Sequence, residues 1–169
     1  WLDDRPMDSL LTFDLGTTNC KVCLWDAAGT LLVSADEGYP THHPRPDWAE
    51  QDSSDWWQAA ITAARICLAG QDASRIAAIG LSSQREGVVP IGRDGKPLDR
   101  CIIWMDRRCR EQSARLSEEF GESFLHHHTG VAPDPNYTAC KLLWLRENQP
   151  DLLARATVFL QPRDFLYTD

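Results

Sequence analysis

The sequence has no long apolar run, no excess of positive charge and no dense set of cysteines. Because no segment approaches the roughly 18 apolar residues of a membrane span, and residues 1–6 are acidic and interrupted by proline, we predict a cytoplasmic protein without a membrane anchor. Its 17 Lys and Arg against 25 Asp and Glu give a net charge of -8, which argues against nucleic acid or an anionic membrane as a partner. The 6 cysteines are scattered, so we expect reduced and mostly buried thiols.

Several common active-site motifs are also missing. The sequence contains no Gly-x-Gly pair, which excludes the dinucleotide fingerprint, and the P-loop spacing of residues 87–92 is not followed by Lys-Ser/Thr. Residues 80–84 lack the second glycine of a serine hydrolase elbow. Cys20 and Cys23 would point to opposite faces of a strand, and the consecutive imidazoles of residues 126–128 diverge. Neither group therefore predicts a metal site.

The 169 residues, 43% of them hydrophobic, are enough for one compact unit or a piece of a larger one. Changes in hydrophobic period predict strands at residues 10–15, 21–26, 30–34, 76–82, 87–91, 101–104 and 157–160. Helices are predicted after residues 52–54 up to about 70, at 106–120 and at 138–148, where Pro150 ends the last. We expect Trp57, Ile61, Ala64 and Leu68 to form the apolar stripe of the first helix, and Cys109, Leu116 and Phe120 that of the second. This order predicts an α/β fold whose mixed sheet opens with an antiparallel three-strand meander.

One turn combines groups that suit phosphate chemistry. Asp14 ends the first strand, and Gly16, Thr17, Thr18 and Asn19 follow before the second strand begins. Glycine allows close approach of the backbone, the next three residues supply hydrogen-bond donors, and the carboxylate suits a hydrated Mg²⁺ ion. An ordinary hairpin turn uses the same residue types, so these residues alone leave both interpretations open.

The motifs in chain order resemble those of the FGGY family of carbohydrate kinases. Residues 13–18 (FDLGTT) with Lys21 are similar to the first phosphate motif of the actin-like ATPase superfamily, to which these kinases belong. Further segments match in order from about residue 10 onwards: residues 43–52 with 56–58, 79–86, 103–108, 129–130, 141–145 and 161–166. The agreement lies in the ordered set and not in any one motif.

The resemblance implies a ribonuclease H-like domain with helices on both faces of its sheet, and a kinase that uses ATP and Mg²⁺. Residues 10–169 would be part of the N-terminal domain and residues 1–9 a tail. Asp14 would engage the metal, Gly16 to Asn19 would meet the β- and γ-phosphates, and Lys21 would lie near the transferred group. The alternative for Lys21 is a solvated strand residue.

The resemblance also implies a sugar-binding side. Arg85 can donate to vicinal hydroxyl groups, Glu86 can accept from them, and the Trp104 ring can cover the C–H side of a polyol. Without the family match, a surface Arg-Glu pair beside a core tryptophan would be the simpler interpretation. The predicted substrate-binding residues are Gln84, Arg85, Glu86, Trp104, Asp106 and Asn136.

The residues that would bind the acceptor resemble two kinds of kinase with different substrates. Arg85 and Glu86 resemble glycerol kinases, whereas the region around Trp48, Asp106 after Trp104, and Asn136 in place of a tyrosine lean towards xylulokinases. We favour a xylulose-like ketose, with glycerol as the alternative; a non-catalytic nucleotide- or sugar-binding module of the same fold is the second alternative. The general base is expected outside this chain, whose end we interpret as an internal position of a longer protein. A homodimer of that full-length protein stays open.

Overall fold

The computed structural model of the protein describes residues 9–168. The predicted tail therefore lies outside the described residues, apart from Ser9, which is already the first residue of a strand. The strands are β1 (Ser9–Leu15), β2 (Asn19–Asp26), β3 (Leu31–Gly38), β4 (Glu50–Gln51), β5 (Ile76–Ser83), β6 (Val89–Ile91), β7 (Cys101–Ile102) and β8 (Val158–Leu160). The helices are α1 (Ser53–Cys67), α2 (Arg110–Phe120), α3 (Glu122–Thr129), α4 (Thr138–Asn148), α5 (Pro150–Arg155) and α6 (Pro162–Thr168), with a 3₁₀ turn at Ala73–Arg75.

The described chain divides into two compact units. The first unit comprises residues 9–39 and 54–84, and contains β1, β2, β3, β5 and α1 apart from its first residue. The second unit comprises residues 40–53 and 85–168, and contains the remaining strands and helices.

The first unit is built on one mixed sheet with the strand order β3-β2-β1-β5. β1 and β2 pair antiparallel, as do β2 and β3, whereas β5 returns to pair parallel with β1. The Cys67 thiol of α1 donates to the Val22 carbonyl of β2 at 3.2 Å, so the helix packs on one face of the sheet. This arrangement confirms the predicted α/β class and the antiparallel meander.

The second unit is held together by helices and two short strand pairs. β4 pairs with β7 and β6 pairs with β8, both antiparallel. The edge of the Trp48 ring meets the face of Trp144 at a centroid distance of 5.3 Å, beside the apolar cluster that fills this unit. The buried members of that cluster are Val88, Ile102, Cys109, Cys140, Trp144 and Leu145.

Two of the predicted apolar stripes need correction. In α1 the buried apolar residues are Trp56, Ala59, Ala60, Ala63 and Cys67, so the stripe begins one position earlier than predicted. Three alanines in that stripe allow the helix to lie close to the sheet, and the larger side chains Trp57, Ile61 and Leu68 lie at its margins, half-buried.

The prediction that Phe120 faces the core is wrong. Its side chain is 46% exposed and stacks on Phe124 with ring centroids 6.2 Å apart. The helix that carries it also begins at Arg110 and not at 106, because residues 103–106 form a turn closed by the Asp106 amide and the Ile103 carbonyl.

Three helices were not predicted at all. α3 contains His126, His127 and His128, whose side chains are exposed, and Gly130 ends this helix in a left-handed conformation. α5 and α6 both begin with proline, which stops a preceding helix but is also favoured in the first turn of a new one. β3 continues to Gly38 because its pairing with β2 extends past Ser34.

The cysteines agree with the prediction: all six are free and buried. Burial raises the pKa of Cys20 to about 11, and of Cys101 and Cys109 to about 12, so these thiols stay protonated at neutral pH. Among residues 9–168 there is no group of three or more His, Cys, Asp or Glu side chains that could hold a metal ion. In the same range no helix has the length and apolar character of a membrane span.

Candidate functional site

The β1–β2 hairpin carries the predicted phosphate-binding residues. Asp14 and Lys21 lie directly opposite each other on the two strands, and both side chains are exposed. The Gly16 amide donates to the Asn19 carbonyl at 2.9 Å, which closes the turn tightly. A Cβ atom on Gly16 would lie 3.2 Å from that same carbonyl oxygen, so glycine is needed here for space. Thr18 is exposed at the tip, and Thr17 is half-buried.

Two residues that the sequence did not single out hold this hairpin in place. The Tyr39 hydroxyl donates to the Gly16 carbonyl at 2.5 Å and lies 3.0 Å from the Asn19 carbonyl oxygen. The Asn19 side-chain amide donates to Asp36 on β3 at 3.1 Å. Burial raises the pKa of Tyr39, with a further rise from Cys20 and Asp14, so its hydroxyl keeps the proton that it donates. No local pattern around Tyr39 signals this contact, because it closes over 23 residues.

The exposed end of the sheet presents an arrangement that fits a metal-bound phosphate. Asp14 pairs with Lys21 on one side and with Ser82 of β5 on the other, so the three side chains share one face of the sheet. Mg²⁺ is commonly held in proteins by one or two carboxylates together with substrate phosphates and water. A single exposed carboxylate beside a lysine and a hydroxyl therefore fits an Mg²⁺–phosphate group.

Gln84 and Arg85 follow β5. The backbone amide of Gln84 donates to the backbone carbonyl of Leu15 at 2.7 Å, which continues the β1–β5 pairing by one residue. Gln84 thus belongs to the first unit, and Arg85 begins the next stretch of the second unit with an exposed side chain.

Glu86 is fixed in an unusual backbone conformation. Its φ angle is 64°, in the left-handed region that non-glycine residues rarely adopt. Its carboxylate accepts hydrogen bonds from the Thr138 amide at 3.4 Å and the Thr138 hydroxyl at 3.3 Å, at the start of α4. Glu86 also lines a pocket of about 350 Å³ whose other walls are mostly apolar.

Asn136 lies in the loop just before α4. The backbone amide of Asn136 donates to the Asp134 carboxylate at 2.9 Å, and this carboxylate in turn forms an ion pair with Arg107 at 2.6 Å. The Asn136 side-chain oxygen is buried, and within the described part of the chain it has no hydrogen-bond partner. A buried carbonyl oxygen without a donor is unfavourable, and a ligand hydroxyl group could supply one.

Trp104 and Asp106 share one turn but have opposite surroundings. The Trp104 side chain is 39% exposed. Asp106 is fully buried; its carboxylate accepts from the Ala49 amide at 2.6 Å and from the Arg108 guanidinium at 2.7 and 2.9 Å. The same guanidinium also pairs with Glu50 at 2.7 Å and lies 3.6 Å from the Trp48 ring centroid. Asp106 therefore anchors the turn that presents Trp104.

Lys141 links two of the predicted sugar-binding residues. It lies one turn into α4, is fully buried, and its ammonium group donates to the backbone carbonyls of Glu86 and Asn136. The sequence pattern around Lys141 indicates its burial. Lys141 stands beside Cys140 and precedes Trp144 and Leu145 by one turn, so it lies on the buried face of the helix.

An α/β unit with this mixed sheet, which opens with an antiparallel meander, has the actin-like ATPase fold. Residues 9–169 match the family profile "FGGY family of carbohydrate kinases, N-terminal domain". The chain belongs to the FGGY family of carbohydrate kinases, which confirms the predicted resemblance.

Individual relatives agree with this membership. The chain is 39% identical over 153 residues to a glycerol kinase from Cereibacter sphaeroides, a match that covers 89% of this chain and 31% of the relative. Among solved structures it is similar to a protein described as a "xyloylose kinase" from Brucella ovis, with a TM-score of 0.88, 33% identity, and coverage of 94% of this chain and 33% of the other. A gluconate kinase from Lactobacillus acidophilus gives a TM-score of 0.88 at 25% identity, covering 94% of this chain and 32% of the other. The chain thus spans about a third of the length of the proteins that it matches.

Proposed function

We propose that this chain is the N-terminal part of an ATP-dependent kinase that transfers the γ-phosphoryl group of ATP to a hydroxyl group of a small, neutral sugar or polyol. The observation that carries the proposal is the tight β1–β2 hairpin with the exposed Asp14 at its strand end, in a chain of the FGGY family. These residues would also suit an ordinary hairpin, and membership in the FGGY family favours the phosphate-binding role, with Mg²⁺ between the Asp14 carboxylate and the phosphates.

On the phosphate side, Asp14 would hold Mg²⁺, which when bound neutralises charge on the phosphate oxygens. Thr17 and Thr18 would donate to these oxygens, and Asn19, held by Asp36, would fix the shape of the turn. Lys21 lies across from Asp14 and would place a positive charge near the transferred group. No residue of this chain is proposed as the general base.

On the acceptor side, Arg85 would donate to a sugar hydroxyl group and Glu86 would accept from one, while Trp104 would cover the C–H face. Asn136 would accept a hydrogen bond from a further sugar hydroxyl group through its side-chain oxygen. The burial of Asp106 supports a role behind the site, where it would hold the Trp104 turn through Arg108. Gln84, which directly follows β5, is proposed as a further sugar ligand.

A xylulose-like ketose is the proposed acceptor, and glycerol is the second candidate. Asn136 supports the ketose, because by resemblance it stands where the glycerol kinases carry a substrate-contacting tyrosine. The neighbouring Arg85 and Glu86, and the identity with glycerol kinases, support glycerol. Arg85 and Glu86 are neighbours of opposite charge and leave little net positive charge for an anionic substrate. The proposal therefore excludes anionic acceptors such as gluconate.

A coupled assay of ATP consumption by the full-length protein tests the proposal, with glycerol, erythritol, xylulose, ribulose and gluconate as acceptors. We expect turnover with a neutral acceptor, highest for xylulose or ribulose. A preference for gluconate would contradict the charge argument. Sugar binding without ATP turnover would instead support a non-catalytic binding module.

A further inference from the structure

Lys141 occupies a position where a lysine is unfavourable unless it performs a specific task. Its side chain is fully buried on the face of α4 that also carries Trp144 and Leu145. Removing an ammonium group from water costs several kcal/mol, which hydrogen bonds offset only in part. Burial accordingly lowers the pKa of Lys141, while the nearby Cys101, Cys109, Asp106 and Glu86 raise it. A methionine or leucine would fill the same space without this cost.

The ammonium group joins the two loops that carry Glu86 and Asn136. It donates to the backbone carbonyl of Glu86 and to that of Asn136, two residues that are far apart in the sequence. Both loops lack regular secondary structure at these residues. The backbone positions of both therefore depend on contacts of this kind.

Glu86 in particular needs such support. Its left-handed backbone (φ 64°) is strained for a residue with a side chain, and such a conformation persists only where its surroundings enforce it. Thr138 holds the carboxylate, and Lys141, one helical turn further along α4, holds the carbonyl. The first turn of α4 thus restrains both the side chain and the main chain of Glu86.

We propose that Lys141 is a positioning residue of the sugar site: it sets the backbone of Glu86 and Asn136 so that their side chains meet the acceptor together. The inference deepens the proposed function and rests on it. A neutral side chain of similar size at this position would leave the fold in place but would allow the two loops to move independently.

The test compares Lys141→Met in the full-length protein with Leu145→Ala as a matched control. Leu145 is buried one turn further along the same helix, in the apolar cluster. We expect Lys141→Met to lower kcat/KM for the sugar by about 100-fold, because small displacements of binding groups have effects of this size. The KM for ATP should change by less than about twofold, since Lys141 contacts none of the residues proposed to bind ATP. Leu145→Ala should lower stability without this selective effect.

Hydrogen exchange supplies a readout that needs no activity. Lys141→Met should speed exchange of the amides at residues 85–88 and 134–138, whereas Leu145→Ala should not single out these loops. If Lys141→Met does not fold, Lys141→Gln, which retains amide donors, replaces it and should show a smaller change of the same kind. Unchanged exchange, or sugar kinetics equal to wild type in an active enzyme, would overturn the positioning role alone. An inactive wild-type protein would overturn the proposed function and this role with it.

Discussion

Arg108 binds the carboxylate of Asp106 at two points, with its Nε 2.9 Å from one oxygen and a terminal nitrogen 2.7 Å from the other. The two side chains are 2% and 0% exposed. Glu50 and the Trp48 ring complete the surroundings of the guanidinium group. The pair is therefore part of the interior of the second unit. Within the family motif at residues 103–108, Asp106 and Arg108 thus stabilise the fold.

Asp106→Asn should destabilise the protein by about 3 kcal/mol, because removal of one partner leaves a buried guanidinium with less compensation. Urea denaturation measures this change. Asp47→Asn is the matched control: Asp47 pairs with Arg110 at 3.5 Å, with both side chains more than half exposed, so its effect should stay below about 1 kcal/mol. Equal effects of the two substitutions would contradict the assigned role of Asp106.

The buried thiols predict a loss of stability at high pH. Burial raises the pKa of Cys101 from 9.0 to about 12, so the unfolded chain loses this proton first as the pH rises. Stability contributed by the protonated thiol is complete below pH 9 and declines above it. The destabilisation caused by Cys101→Ala should therefore shrink by about 1.4 kcal/mol between pH 8 and pH 10. Ile102→Val, a substitution at a buried position without a titrating group, should destabilise the protein equally at pH 8 and pH 10.

Local patterns were enough to predict much of the first unit. β1, β2 and β5 are short apolar runs bounded by turn residues. Gly16, Thr17 and Thr18 lie in the turn between β1 and β2 as predicted, whereas Asn19 is already the first residue of β2. The short helices were missed because Pro150 and Pro162 act as stop signals for one helix and as start signals for the next.

The supporting contacts of the site were beyond sequence reasoning for a different reason. Tyr39 reaches Gly16 across 23 residues, and Lys141 reaches Glu86 across 55. Hydrogen bonds from a side chain to a distant backbone carbonyl leave no periodic pattern, because any residue can offer the carbonyl. Only the burial of Lys141 could have been inferred, from its place on the apolar face of α4.

Asp14→Ala in the full-length enzyme should lower kcat by about 1,000-fold, since loss of a metal-linked carboxylate removes several kcal/mol of transition-state stabilisation. The fold should be retained, because Asp14 is exposed at a strand end. Steady-state kinetics with circular dichroism tests both statements. Glu37→Ala, an exposed carboxylate on β3, serves as the control and should keep normal turnover. Near-normal turnover of Asp14→Ala would refute its role.

The 169-residue chain by itself should bind ATP weakly and show no kinase activity. Phosphoryl transfer depends on positioning and preorganised charge from a complete site, and this chain spans about a third of its relatives. Isothermal titration with ATP and Mg²⁺, and a coupled assay with the acceptor panel, would check this. Robust phosphorylation of any acceptor by this chain alone would contradict the expectation.

Asn136→Ala should separate stability from function. Its side-chain oxygen is buried, and among residues 9–168 no donor reaches it, so removing it should leave the free energy of unfolding unchanged or raise it by up to about 1 kcal/mol. If the oxygen instead accepts from a sugar hydroxyl group, the same substitution should raise the KM for the preferred acceptor by about tenfold, the value of one hydrogen bond, without changing the KM for ATP. Ser53→Ala is the matched control, because the Ser53 hydroxyl is likewise buried without a partner in the described chain, and its loss should alter neither KM. A variant that loses stability but retains its sugar KM would show that Asn136 is a structural residue, and the preference for a ketose over glycerol would lose its main support.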